Sequence, residues 1–214
     1  REPPQRQGLT LICTLQGMLP AHVIKTKLEA AGIPALLEYE SAGQAIGVTI
    51  DGGFAEYMRV PANSIQQGNV IKISEDVDPA VAALMEPFAC VLRGQNALHI
   101  KPGDVVLIIG AGPIGVMHTK LAKVRGAGKV IVSEPVKDRA EQVKLLGADL
   151  VVNPLEENLE AVMLRESGGR GADVIIVAAP VHAAQESALT LAAVGGRINF
   201  FGGLPKDRPT INFD

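Results

Sequence analysis

Apolar and polar residues alternate along this chain in two different rhythms, and the change falls near residue 78. Ahead of it, Leu9–Leu15 reads as a short apolar strand, and Ala21–Ala31 as an amphipathic helix with Val23, Ile24 and Leu28 on one side. Gly32-Ile33-Pro34 ends that helix, with glycine just past the last turn and proline behind it. Ala35–Tyr39 and Ile46–Ile50 follow as strands around the Ser41-Ala42-Gly43 turn. Asp51-Gly52-Gly53 is a hairpin signal that lets Tyr57–Val60 return as a further strand. Residues 1–8, rich in Pro and Gln, read as a disordered tail, and residues 9–77 as a small α+β domain.

From Asp78 onward, helical and strand patterns alternate. Asp78-Pro79 opens a helix, Asp as the cap and Pro in the first helical position. Strands are predicted at Val105–Ile109, Val130–Ser133, Leu150–Val152, Val174–Ala178 and Arg197–Phe201. Helices are predicted at Pro113–Arg125, Lys137–Leu146, Leu155–Glu166 and Ala183–Val194. The strands are continuous Val/Ile/Leu runs, as a parallel sheet covered on both faces requires. Residues 78–214 therefore predict an α/β fold, a doubly wound parallel Rossmann sheet of five strands. The usual sixth strand is not found before residue 214, which leaves Arg197–Phe201 as an edge.

The first of these strands runs straight into Gly110-Ala111-Gly112-Pro113-Ile114-Gly115. Gly110 permits the turn out of the strand, Gly112 lets backbone approach a pyrophosphate, and Gly115 lets the helix pack closely on the strand. The helix starting at Pro113 turns unpaired N–H groups and a positive dipole end toward phosphate. Glu134 stands 19 residues past Gly115, at the end of the second strand. A carboxylate there accepts hydrogen bonds from the adenosine ribose hydroxyls and opposes a 2′-phosphate, so NAD is expected over NADP by about a hundredfold. Arg139 is placed either to stack on adenine or as an exposed helix arginine. Two more loops, Ala178-Ala179-Pro180 and Phe201-Gly202-Gly203, follow carboxyl ends of strands, where their backbone can hold the nicotinamide ribose and carboxamide.

Composition narrows the partners. The chain has 214 residues, 47% hydrophobic and 20% charged, within the range of ordinary globular proteins. A net charge of −3 gives no basic field for nucleic acid or an anionic membrane, and no run is long enough for a membrane span. Aromatic residues make up 3%, too few for base-stacking platforms. Cys13 and Cys90 cannot build a disulfide framework or a cysteine-rich zinc site, and the polar start does not read as a signal peptide. A cytoplasmic location is the expectation. The chain opens on Arg1 and stops at Ile211-Asn212-Phe213-Asp214, so either end is open to being a gene-model boundary, and a fragment is one reading.

Several phrases together carry a resemblance. Asp51-Gly52-Gly53-Phe54-Ala55-Glu56-Tyr57, Glu86-Pro87-Phe88-Ala89-Cys90, Lys101-Pro102-Gly103-Asp104, the glycine turn, Lys144-Leu145-Leu146-Gly147-Ala148-Asp149 and Gly195-Gly196 resemble the zinc-dependent medium-chain dehydrogenases, close to sorbitol and threonine dehydrogenases. The resemblance covers residues 51–214. It implies a Rossmann domain, NAD, and hydride transfer from a secondary alcohol polarised by zinc, hence a small alcohol or polyol substrate.

It also implies zinc ligands: a Cys and a Gly-His-Glu motif in the N-terminal part, and an acid or Cys where this chain has Glu86. Only Glu86 matches. Cys13 and His22 stand alone inside strand and helix patterns, and the structural four-cysteine lobe is absent. The expectation is therefore no bound metal, an incomplete catalytic site with no assignable catalytic residue, and impaired hydride transfer. His99 and His118 read as structural, and His182, after the Ala179-Pro180 turn, falls near the nicotinamide.

Residues 9–52 resemble instead a small bacterial family of ferredoxin-like modules described as signal-transducing. A fusion junction then falls near residues 51–61. Alternative functions are a non-catalytic NAD-binding sensor or interaction module, or a truncated or chimeric gene product. Substrate and oligomeric state stay open.

Overall fold

The computed structural model of this chain describes residues 52–204. The predicted tail at 1–8 and most of the small α+β domain, with the fusion and ferredoxin-like readings on it, lie outside the described residues. The chain divides into two compact units, one ending at Ile73 and one starting at Ser74. In the first, the described part carries one short helix, α1 (Ala62–Gln66). Tyr57–Val60, predicted as a returning strand, is not in a strand among the described residues. Gly53–Glu56 bend, and Phe54 and Tyr57 point into solvent, so the alternation there is not read out as a buried face.

The second unit begins with α2 (Pro79–Ala82), α3 (Met85–Leu98) and β1 (Val105–Ile109). Asp78 caps α2 as its sequence predicts, its side chain accepting from Ala80 N at 2.7 Å. That helix lasts one turn. The longer α3, which the hydrophobic pattern did not separate out, follows with Pro87 inside its first turn, where an N–H has no intrahelical partner to lose. His99 closes α3 in the left-handed region, φ 46°.

Then come α4 (Pro113–Val124), β2 (Lys129–Ser133), α5 (Lys137–Leu145), β3 (Leu150–Val152), α6 (Leu159–Glu166), β4 (Ala172–Val177), α7 (His182–Leu191) and β5 (Ala192–Phe200). The five strands form one sheet in the order β3-β2-β1-β4-β5, and every pairing is parallel. The chain winds outward from β1 to β3, then crosses back to lay β4 on the other side of β1. That reversal is a doubly wound switch point.

Val106, Ile108, Val130, Val132, Val174 and Ile176 form one buried cluster with Leu98, Ala122 and Val143 from α3, α4 and α5. Val105, Leu107, Ile109, Ile131, Ile175 and Val177 form the other, with Val162 and Met163 of α6 and Ala188 and Leu191 of α7. Because both faces are covered, the apolar runs have no polar alternation.

Two helix boundaries differ from the predicted ones by more than one residue. α6 starts at Leu159, not Leu155, because Asn158 caps it onto Ala161 N at 3.0 Å, while the Asn153 side chain holds Leu155 N in a turn at 3.1 Å. α7 stops at Leu191, and residues predicted to extend it enter β5 instead. The register slips between the Ala172–Ala192 and Val174–Arg197 pairs, a bulge in which Gly195 takes φ 76°.

Candidate functional site

The loops at the carboxyl ends of β1, β2, β4 and β5 converge on the switch point. Gly110 leaves β1 with φ 99°, a backbone state that favours glycine, and its N–H donates to Ser133 O at 2.8 Å. Gly115 is forced by packing: a Cβ there would lie 1.9 Å from Gly110 O, so any side chain would push α4 off the strand. Gly112 differs. It caps α4 in an extended conformation, and a Cβ on it would meet nothing within 4 Å. The space beside this residue is open, at the end of a helix with Pro113 in its first position and Ile114 half-buried behind it. This is the geometry in which helix amides and the helix dipole receive an anion.

Glu134 is 3% exposed and turns inward. Its Oε2 accepts from Ala111 N at 2.7 Å and its Oε1 from Val136 N at 2.9 Å. A wide groove of about 390 Å³ opens beside it, lined also by Pro135, Lys137, Ala140, Lys144 and Asn153. Sequence reading passed over Asn153; its signal was its place one residue past the end of β3. Arg139 is exposed on α5 and does not line this groove.

On the other side of β1, Ala178 N donates to Ile109 O at 2.9 Å and Gly202 N to Val177 O at 2.8 Å, continuing the ladder beyond the strands. Ala179 is half-buried and Pro180 exposed. A Cβ on Gly202 would fall 2.9 Å from Ala179 O, so the two loops touch. Gln185 of α7, 3% exposed, pins the Gly202 carbonyl by donating from Nε2 at 2.7 Å. The structure thus brings Gly110, Gly112, Gly115 and Glu134 together at one end of the sheet, with Ala179, Pro180, Phe201 and Gly202 across β1 from them.

Of the histidines, His118 is fully buried and desolvation pushes its pKa down to about 4. His99 contributes its carbonyl to Arg197. His182 is the first residue of α7, and its Nε2 is buried with no hydrogen-bond partner among the described residues.

Glu86 does not sit in a metal-binding cluster. It is exposed in the first turn of α3, where its Oε1 accepts from the Cys90 thiol at 3.3 Å. That hydrogen bond, with burial and the Glu86 charge behind it, raises the Cys90 pKa. No three His, Cys, Asp or Glu side chains converge among the described residues. Tetrahedral zinc needs three protein ligands or more, so these residues do not fit it. No helix among the described residues is long and apolar enough to cross a membrane.

Comparison with known proteins agrees with this geometry. Residues 113–214 match the family described as zinc-binding dehydrogenase. The L-threonine 3-dehydrogenase of Pyrococcus horikoshii is 38% identical over 168 residues, which are 78% of this chain and 46% of that protein. A protein of Sinorhizobium meliloti 1021 described as a zinc-binding dehydrogenase, solved bound to NADP, superposes with a TM-score of 0.71 at 32% identity, covering 80% of this chain and 49% of that one. An Escherichia coli CFT073 protein described as a short-chain alcohol dehydrogenase, in complex with NADH, gives 0.63 at 34% identity over 72% of this chain and 44% of its own. The chain spans just under half the length of the curated relatives it matches.

Proposed function

We propose, from the match of residues 113–214 to the zinc-binding dehydrogenase family, that the unit beginning at Ser74 is an NAD(H)-binding domain of the oxidoreductase type. The observation that carries this reading is the glycine turn: Gly115 has no room for a side chain, Gly112 faces open space, and the Glu134 carboxylate reaches the same turn.

In this reading the pyrophosphate takes the amides at the start of α4, with Pro113 and Ile114 behind it. The adenosine ribose lies against Glu134, with the adenine in the groove beside it and Arg139 outside its lining. The nicotinamide half crosses β1 to the backbone of Ala179-Pro180 and Phe201-Gly202. When bound, the nicotinamide would supply hydride acceptance; this chain's residues bind and orient it and keep water from its inner face. Glu134 favours NAD over NADP by charge. The NADP-bound relative makes that preference a point for measurement.

A second reading is favoured by Glu86 and Cys90. Since the described residues do not fit zinc, the unit holds the dinucleotide without turning over a small alcohol or polyol, acting as a binding or sensing module. Calorimetric titration with NADH and NADPH, run with metal analysis and turnover assays on threonine and polyols, separates the two. Tight NADH binding without stoichiometric zinc or turnover supports the module, zinc with turnover supports the dehydrogenase, and no dinucleotide binding rejects both.

A further inference from the structure

A polar cluster behind the cofactor-facing loops has no part in the contacts above. Gln95 on α3 and His118 on α4 are both fully buried. Gln95 Nε2 donates to the His118 carbonyl at 2.8 Å and lies 3.2 Å from His118 Nδ1. An amide NH₂ facing Nδ1 makes that nitrogen the acceptor, which assigns the ring proton to Nε2. His118 Nε2 and Gln95 Oε1 are then a buried donor and a buried acceptor with no partner among the described residues. Leaving such atoms unpaired is costly, and two apolar side chains would join the helices without it.

The other face of the imidazole gives the cluster a direction. The His118 ring meets the Phe201 ring edge-to-face, centroids 4.7 Å apart and planes at 82°. Phe201 directly follows β5 and precedes Gly202, whose N–H and carbonyl are tied to Val177 and Gln185. Beside Gln95, a Cβ on Gly94 would lie 3.1 Å from the Phe201 ring, so α3 closes on this ring from a second point.

The strand order decides which part of a dinucleotide this loop faces. The pyrophosphate turn is at the end of β1 and Glu134 at the end of β2, so the adenosine half extends toward β2. The other half must cross to β4 and β5. We propose that His118, held by Gln95, is a positioning residue: its ring fixes Phe201 and so sets the β5 loop at the height of the nicotinamide half. Because His118 rides on the helix whose first turn faces the pyrophosphate, one rigid element sets both contacts. The inference rests on the dinucleotide reading above.

The test compares NADH with ADP-ribose, which keeps the adenosine and pyrophosphate and lacks the nicotinamide. Calorimetric titration of the full chain is expected to show NADH affinity falling about tenfold in His118→Leu and Phe201→Ala, with ADP-ribose affinity kept within about twofold. His118→Phe, which retains an aromatic ring against Phe201, should recover most of the NADH affinity. If His118→Leu does not fold, by circular dichroism, the half-exposed Phe201→Ala variant decides the matter. Variants that bind NADH like the unsubstituted chain, or that lose both ligands equally, overturn the positioning role. An unsubstituted chain that binds neither ligand overturns the dinucleotide reading itself.

Discussion

Glu134 reaches from the end of β2 to the glycine turn after β1, where its Oε2 accepts a 2.7 Å hydrogen bond from the backbone amide of Ala111. The two residues are nearly inaccessible to solvent, and the second carboxylate oxygen takes the amide of Val136. One side chain therefore braces the glycine turn after β1 and its own loop. A charged acceptor on a buried amide is a strong form of hydrogen bond.

Glu134→Ala leaves the Ala111 amide buried and unpaired, which should cost about 1–3 kcal/mol in a urea unfolding curve. The same variant should bring a preference for NADH over NADPH of about a hundredfold down toward parity in parallel titrations. A ratio that stays where it was would remove Glu134 from the ribose site.

The glycines of the turn should separate folding from binding. Gly115→Ala puts a Cβ against Gly110 O and is expected to destabilise the domain by roughly 3 kcal/mol or more. Gly112→Ala places its methyl in open space at an extended backbone, so stability should change by no more than about 0.5 kcal/mol. Dinucleotide affinity should nevertheless drop at least about tenfold, because the methyl takes the space of the pyrophosphate. Thermal unfolding and calorimetry on the two variants read both effects.

Acid should destabilise the fold through His118. Burial lowers its folded pKa to about 4, below its unfolded value of 6.5, so the unfolded chain binds the extra proton. The contribution is complete above pH 6.5 and is lost as pH falls toward 4, amounting to roughly 3 kcal/mol over that window. Stability of His118→Phe should fall less steeply across the same window; a parallel decline would place the acid sensitivity elsewhere.

Arg197 ties β5 to the end of α3. Its Nη1 donates to the carbonyls of Leu98 and His99, and its Nη2 to Asp104 Oδ2 at 2.6 Å. Arg197→Ala should lower stability by about 2–3 kcal/mol, since the part-buried Leu98 carbonyl and Asp104 carboxylate lose a charged donor. Arg197→Lys should recover only part of it, because an ammonium cannot span the three acceptors as the planar fork does. Differential scanning calorimetry of both variants measures the ordering.

What was legible in the chain was what short-range chemistry dictates. Val105–Ile109 reads as a buried strand because five consecutive branched apolar residues suit a sheet covered on both faces, and the structure has that strand at those bounds. The spacing of Gly115 alone points to close helix–strand packing, and the Cβ clash with Gly110 O is that constraint in space. Where local pattern met a competing capping side chain, as at Asn158, the boundary moved. Ala192–Val194, predicted as the last turn of a helix, enter β5 instead, beside the bulge where Gly195 takes a positive φ that suits a helix end as well as an irregular strand.

The sequence by itself determined the doubly wound α/β class, the five strands of the sheet, the dinucleotide turn and the acid delayed by one βαβ unit, since each follows from residues close together in the chain. Tertiary structure alone decided that Glu134 grips the Ala111 amide and that Gln95, His118 and Phe201 meet. It also decided that Arg197 clasps a carbonyl 99 residues away. No periodicity encodes such contacts. They arise when covering both faces of a parallel sheet brings distant helices and strand ends into van der Waals reach, and the polar atoms caught there must find each other or go unpaired.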